Sequence, residues 1–187
     1  MEVLGLRMKS VLAVATALCA SALFAWQGDV MTPTSYTGIF SVGPDQIYHV
    51  KPGGSIEVST KNGNNYIEIR HEVNKVIELW LEGGSVQADV LALRGAVSKY
   101  RQFSGTASFP GNIYVDGGTL EIAGGVCKGP ISFRNCSAAT FIMSGGTLVS
   151  TAFGGANMGK AGITFALTNA AHGLNTDTTD TDTTGQG

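Results

Sequence analysis

The sequence has little charge, and basic residues do not predominate in it. Asp, Glu, Lys and Arg make up 14% of its 187 residues, and the formal net charge is −2. A typical soluble domain has about 25% of these residues, so the composition argues against a coiled coil, a helical bundle and a charge-rich disordered chain. Nucleic-acid binding requires clustered Lys and Arg that neutralise phosphates, so we expect no nucleic-acid partner.

Long apolar runs are also scarce, since only residues 11–25 form an extended uncharged one. This run follows basic residues and ends in small ones, which predicts a secretory signal peptide over residues 1–25, cleaved after Ala22 or Ala25. A membrane anchor is the alternative, but spanning a bilayer takes about 20 apolar residues. We therefore expect export through the periplasm to the cell surface or the extracellular medium, with no membrane span in the mature chain.

Glycine, in contrast, is abundant, with 26 of 187 residues. Four segments share one pattern: alternating apolar residues, a polar residue or proline, Gly-Gly, Ser or Thr, and alternating apolar residues again. The pairs are Gly53–Gly54, Gly83–Gly84, Gly117–Gly118 and Gly145–Gly146. They lie 30, 34 and 28 residues apart. Self-similarity at a period of about 20 to 50 residues indicates a solenoid or a repeat array.

The chemistry of one such unit fits a stacked β-structure. Alternation with a period of two buries one face of a strand, and Gly-Gly allows the positive φ angles of a sharp bend between strands. A single copy is also compatible with a β-hairpin, and several copies with a β-sandwich. Four copies at nearly regular spacing favour an all-β parallel β-helix, a solenoid of about five to seven coils.

The same glycine motifs carry a resemblance to a known family. Residues 117–122, Gly-Gly-Thr-Leu-Glu-Ile, are echoed by Gly-Gly-Thr-Leu at residues 145–148. This pattern resembles the strand repeats of bacterial autotransporter passengers and related secreted proteins, over about residues 48–150. The resemblance implies a right-handed β-helix at the bacterial outer membrane or beyond it. The family's C-terminal barrel has no counterpart here, so we expect either part of a larger passenger or another export route.

Motifs for catalysis are missing, although the resembling family includes adhesins, proteases and esterases. The histidines His49, His71 and His172 have no partners at metal-ligand spacing, and no Gly-x-Ser-x-Gly elbow occurs. We therefore predict no catalytic residue, no metal site and no cofactor, and we interpret the histidines as surface imidazoles. The predicted function is a structural or adhesive scaffold that contacts host or matrix glycans or proteins.

A carbohydrate-active enzyme, a polysaccharide lyase or hydrolase on the same scaffold, is the alternative hypothesis. Paired carboxylates on one strand face could act as acid and base. The charged candidates are Glu57, Glu68, Arg70, Glu78, Asp89, Asp116 and Glu121. Five aromatic side chains would offer stacking surfaces to sugars or proteins where they are exposed, although some of them must belong to the core. These are Tyr48, Tyr66, Trp80, Tyr100 and Tyr114.

Two cysteines, Cys127 and Cys136, would remain after removal of the signal peptide. Because export places them in an oxidising compartment, and because Gly129 and Pro130 favour a turn between them, we predict a disulfide. Two buried, unpaired thiols are the alternative, since Cys is among the most buried residue types.

The ends of the predicted stack complete the domain organisation. Residues 26–170 form the predicted β-helix domain, and residues 171–187 are an acidic, low-complexity tail rich in Thr and Asp. Residues 27–45 are polar enough to predict an N-terminal cap. The apolar segment 161–167 is followed by the tail without a capping helix, which predicts an open C-terminal edge prone to self-association.

Overall fold

The computed structural model describes residues 26–61, 63, 65–70, 75–134, 138–154, 163–167 and 174–175. In these ranges the chain folds into strands that pair in parallel, and strands recur in the same order in each coil. The first three coils comprise β1 (Trp26–Val30), β2 (Pro33–Thr37) and β3 (Ile39–Val42), then β4 (Gln46–Val50), β5 (Ser55–Ser59) and β6 (Tyr66–Arg70), then β7 (Ile77–Gln87) and β8 (Val90–Arg94).

The later coils repeat this order. They comprise β9 (Ser98–Ser108) and β10 (Asn112–Asp116), then β11 (Gly118–Ile122), β12 (Val126–Lys128) and β13 (Ile131–Phe133), then β14 (Ala139–Met143), β15 (Thr147–Val149) and β16 (Phe153–Gly154), and finally β17 (Ile163–Leu167) and β18 (Leu174–Asn175). The long strands β7 and β9 each pass through a corner, so each contributes to two faces of its coil.

Three faces surround the core. The first face contains β1, β4, the beginning of β7, the beginning of β9, β11, β14 and β17. The second face contains β2, β5, the ends of β7 and β9, β12, β15 and β18. The third face is the separate sheet β3-β6-β8-β10-β13-β16. The prediction of a right-handed parallel β-helix is confirmed, with about six turns.

The core is built from the inward side of every strand, as the alternating pattern predicts. Register pairing places Leu79, Tyr100, Leu120 and Phe141 in one column across four neighbouring coils, and all four are buried. Such columns bring the same strand position of successive coils into contact, which is how a solenoid buries a continuous core.

The length of a coil differs from the spacing of the glycine motifs. First-face strands begin at residues 26, 46, 77, 98, 118, 139 and 163, so four coils are 20 or 21 residues long, one is 24 and one is 31. Residues 27–45, predicted as a polar cap, instead contain the strands of the first coil. Strand β9 runs through Gly105 and continues to Ser108.

Three of the four predicted Gly-Gly pairs lie at the corner between the first and second faces. They are Gly53–Gly54, Gly83–Gly84 and Gly145–Gly146, and Gly105 and Gly124–Gly125 occupy the same corner in the intervening coils. Together these residues form a column of glycines along the helix axis, which we call the corner ladder.

Glycine is needed in the corner ladder because successive coils almost touch there. A Cβ on Gly84 would lie 2.3 Å from the carbonyl oxygen of Gly54, and one on Gly105 would lie 2.3 Å from the oxygen of Gly84. A Cβ on Gly125 would meet the oxygen of Gly105 at the same distance. Any side chain at these positions would push two coils apart.

The pair Gly117–Gly118 lies at a different corner, between β10 and β11. A Cβ on Gly118 would lie 2.3 Å from the carbonyl oxygen of Ser98 in the preceding coil. Both corners therefore need glycine for the same steric reason, so a Gly-Gly pair identifies a corner of the coil without specifying which one.

The ends of the sequence are described only in part. The predicted signal peptide lies outside the described residues, as do most of the predicted tail, His71 and His172. Within the predicted tail, Leu174–Asn175 forms β18 and pairs with β15. Among the residues that the structure describes, no helix is long and apolar enough to cross a membrane.

Candidate functional site

Outward side chains on the first face form a column that we call the first-face ladder: His49, Trp80, Arg101 and Glu121. Register pairing places each next to the following one in the neighbouring coil. The His49 and Trp80 rings are 4.7 Å apart between centroids, and the Arg101 guanidinium lies 5.0 Å from the Trp80 centroid. Arg101 Nε donates to Glu121 Oε2 at 2.7 Å. The ladder thus links four successive coils.

On the same face, both carboxylate oxygens of Glu78 have partners in the structure. Trp80 Nε1 donates to Glu78 Oε2 at 2.6 Å, and Lys99 Nζ contacts Glu78 Oε1 at 3.1 Å. Glu78 is only 7% exposed, so both of its carboxylate oxygens are shielded from water and hydrogen-bonded. A carboxylate held in this way stabilises the stack and is poorly placed to act as an acid or base.

Glu82 binds two basic side chains from the preceding coil. It accepts hydrogen bonds from Lys51 Nζ and from His49 Nδ1, the latter at 3.1 Å. Burial alone would raise the pKa of Glu82, but the hydrogen bonds from Lys51 and His49 outweigh it and lower the pKa below its ordinary value. His49 is 8% exposed, so the prediction of a surface imidazole is wrong for this histidine.

The Glu82 carboxylate should make stability depend on pH. The pKa of Glu82 is lower in the folded chain than in the unfolded chain. The ionised carboxylate therefore adds to the free energy of unfolding above the ordinary glutamate pKa of about 4.3, and this stabilisation is lost as the pH falls through the folded value. We expect Glu82→Gln to be less stable than the wild type at pH 7 and to lose less stability on acidification. Urea denaturation at pH 7 and pH 3 measures both effects. Glu57→Gln, at an exposed position without an ion pair among the described contacts, is the control and should match the wild type at both pH values.

The third face carries a depression that we call the third-face groove. It has a volume of about 230 Å³ and is lined by Tyr66, Val90, Ala92, Arg94, Tyr114 and Arg134. Ala92 points outward and lies between Glu68 and Tyr114 in the register. It is nevertheless only 1% exposed, because the longer side chains next to it cover it. A small residue between large ones therefore creates the concavity.

Both arginines of the third-face groove pair with carboxylates on neighbouring coils. Arg94 Nε lies 3.0 Å from Glu68 Oε1. Arg134 donates to both oxygens of Asp116, from Nε at 3.3 Å and from Nη2 at 3.1 Å. The Arg134 guanidinium also lies 3.5 Å from the centroid of the Tyr114 ring. These contacts fix the orientation of the groove walls.

A second depression, of about 240 Å³, follows on the same face and is lined by residues 130–132 and 152–154 together with Asn112. Tyr66, Val90 and Asn112 occupy one column in register, so the two depressions succeed each other along the helix axis. Asn112 Oδ1 is buried and has no hydrogen-bond partner among the described residues.

The predicted charged candidates lie on different faces. Glu78 and Glu121 are on the first face, Glu57 is on the second, and Glu68, Arg70 and Asp116 are on the third, while Asp89 lies at a corner. Glu68, Glu78, Asp116 and Glu121 are each paired with Arg or Lys. Within the described ranges, no three His, Cys, Asp or Glu side chains are grouped as metal ligands would be.

The predicted aromatic surface is corrected at one position. Tyr100 is fully buried, its hydroxyl donates to Gln102 Oε1 at 3.2 Å, and burial raises its pKa well above the ordinary value. Tyr48 packs partly against the core, whereas Tyr66, Trp80 and Tyr114 lie on outward strand positions.

Several residues of these surfaces were missed by the sequence analysis. They are Glu82, Arg94, Arg101, Asn112 and Arg134. The charged residues could be identified because the two partners of an ion pair are about one coil apart in the sequence. Glu78 and Lys99 are 21 residues apart, and Arg101 and Glu121 are 20 apart.

The predicted disulfide stays a prediction, because Cys136 lies outside the described residues. Cys127 is fully buried, and burial raises the pKa of its thiol form to about 12. Thiol titration of the secreted, denatured and unreduced protein decides between the hypotheses. We expect no free thiol, as the bridge requires, whereas two titratable thiols would contradict the bridge.

Comparisons of the chain with protein-family models, with curated proteins and with solved structures found no match.

Proposed function

We propose that the chain is a secreted or cell-surface β-helix scaffold with a structural and adhesive role, similar to an autotransporter passenger. The observation that supports this proposal is the ion pairing of the acidic side chains. Four of the carboxylates that an enzyme on this scaffold would use are bound by basic residues, each on a neighbouring coil. Side chains engaged in this way hold coils together and present a fixed pattern on the surface.

A rigid, repetitive face suits weak contacts made many times. Each coil contributes the same outward positions about 4.8 Å beyond those of the previous coil, so a linear or repetitive partner can contact several coils simultaneously. Linked weak contacts produce avidity without a deep pocket or a catalytic group. Host or matrix glycans and proteins are partners of this kind.

The proposal is tested by an adhesion assay together with a test of export. The full-length gene is expressed in a bacterial host, and the mass of the exported protein is measured. We expect a chain that begins at residue 23 or 26. Beads coated with the folded protein should attach to immobilised matrix glycans or matrix proteins, and beads coated with the heat-denatured chain should not. Equal attachment of both bead types, or retention of the chain in the cytoplasm, would contradict the proposal.

The alternative function, a carbohydrate-active enzyme, is favoured by one feature, the presence of Glu68 and Asp116 beside a groove. Incubation of the chain with acidic and neutral polysaccharides, followed by measurement of new reducing ends and unsaturated products, separates the two functions. We expect no product. Product formation that is abolished in the variants Glu68→Gln or Asp116→Asn would establish the enzyme instead.

A further inference from the structure

We propose that the third-face groove is a binding site for an acidic polysaccharide, one that carries carboxylate or sulfate groups. This inference rests on the proposed adhesive function and assigns it a site and a ligand class. It is supported by the shape of the groove, by its arginines and by its extension along the helix axis.

The shape suits a sugar ring. Ala92 forms a closed floor, and the rings of Tyr66 and Tyr114 lie among the walls. Tyr66 is half-buried at an outward strand position and lines the groove, where its ring can stack on the apolar face of a pyranose. The guanidinium of Arg134 covers Tyr114, which makes that wall both flat and cationic.

The charge favours an anionic ligand. Arg94 and Arg134 line the groove, Arg70 is next to Arg94 in the register, and only Glu68 and Asp116 oppose them among the outward residues of these strands. Arg94 and Arg134 are balanced by their carboxylate partners, and Arg70 adds one further positive charge beside the groove. The contact with Glu68 uses Nε of Arg94, and a guanidinium has five N–H donors in a planar fork that matches carboxylate or sulfate oxygens.

The extent of the site suits a polymer more than a single small molecule. The two depressions on this face extend from β6 to β16, which is four strand spacings or roughly 19 Å. Asn112 Oδ1, buried and without a hydrogen-bond partner in the described part of the chain, lies at the second depression and can accept a hydrogen bond from a sugar hydroxyl. A linear saccharide along the axis would place successive units over successive coils.

The test measures binding of the full chain to polygalacturonate, which carries carboxylates, to dextran sulfate and to uncharged dextran. Arg94→Gln removes a groove cation, and Ala92→Leu fills the floor from an outward position, so neither disturbs the inward core. Arg101→Gln is the matched control, because it removes an ion-paired arginine from the first face. Circular dichroism verifies that all variants are folded.

We expect binding to at least one acidic polysaccharide, with no binding to dextran. Arg94→Gln and Ala92→Leu should each weaken it about tenfold, as the loss of one charged hydrogen bond or of ring contact implies, while Arg101→Gln changes it less than about twofold. Equal weakening by Arg94→Gln and Arg101→Gln, or no effect of Ala92→Leu, would overturn the groove as the site but leave the adhesive function intact. Absence of binding to both acidic polymers would overturn the ligand class, and the bead assay then decides the adhesive function independently.

Discussion

Replacing Gly105 with alanine should lower the free energy of unfolding by about 3 kcal/mol. Gly105 has a φ of +85°, and its added Cβ would lie 2.3 Å from the carbonyl oxygen of Gly84. The left-handed conformation costs a residue with a Cβ about 1–2 kcal/mol, and forcing extra volume into a close backbone contact costs about 1–3 kcal/mol more. Because the clash is between coils, the strain also displaces the coils above and below.

Gly63→Ala is the control that separates these two terms. Gly63 has a similar φ of +77°, but an added Cβ would meet nothing within 4 Å. We expect this variant to lose only about 1 kcal/mol, the conformational term alone. Urea denaturation of both variants provides the comparison. Equal losses in the two would contradict the conclusion that the corner ladder sets the close approach of the coils.

The second large effect is expected for Phe109→Ala, which should lower the free energy of unfolding by about 3–5 kcal/mol. Phe109 is 0% exposed and packs edge-on against Tyr100, with 6.0 Å between ring centroids. Its removal leaves a cavity in the core that the rigid coils around it cannot fill by collapsing.

Phe103→Ala is the matched control, since Phe103 is the same residue type only six positions earlier. It is 37% exposed and contacts Trp80 and Arg101 on the first face. Its loss should cost about 1 kcal/mol or less, because exposed aromatic and cation–π contacts are weak. A Phe103→Ala variant as unstable as Phe109→Ala would show that the inward and outward sides have been interchanged.

The sequence predicts the class of fold because the alternation and the glycines reflect local requirements. Strands such as β6 and β13 could be located to the residue, since their apolar residues alternate without interruption. Strand β9 is difficult to recognise in the sequence because polar residues occupy inward positions in its first half. Ser98 and Gln102 are fully buried, and they interrupt the apolar pattern that would identify a strand.

The period of the solenoid could not be obtained from Gly-Gly pairs alone. Two different corners impose the same steric demand, at Gly118 as well as in the corner ladder, and Gly105 satisfies it with a single glycine preceded by Ser104. The candidate surfaces depend on that period, because each ion pair joins residues one coil apart. Without the correct coil length, Glu68 and Arg94 are simply two distant charges, and the small outward Ala92 carries no signal of a groove.

Disulfide trapping between Thr119 and Thr140 tests most directly whether the coils are stacked as described. The two residues face outward on β11 and β14 and are partners in the parallel register. Paired residues on adjacent strands lie about 4.8 Å apart, within the range that a disulfide can bridge. The double variant Thr119→Cys and Thr140→Cys should form this bridge on mild oxidation, as detected by peptide mass mapping. The variant Thr119→Cys and Ile142→Cys, two residues out of register, should form little or none. Equal trapping of both pairs, or trapping of neither, would contradict the β-helix and the surfaces derived from it.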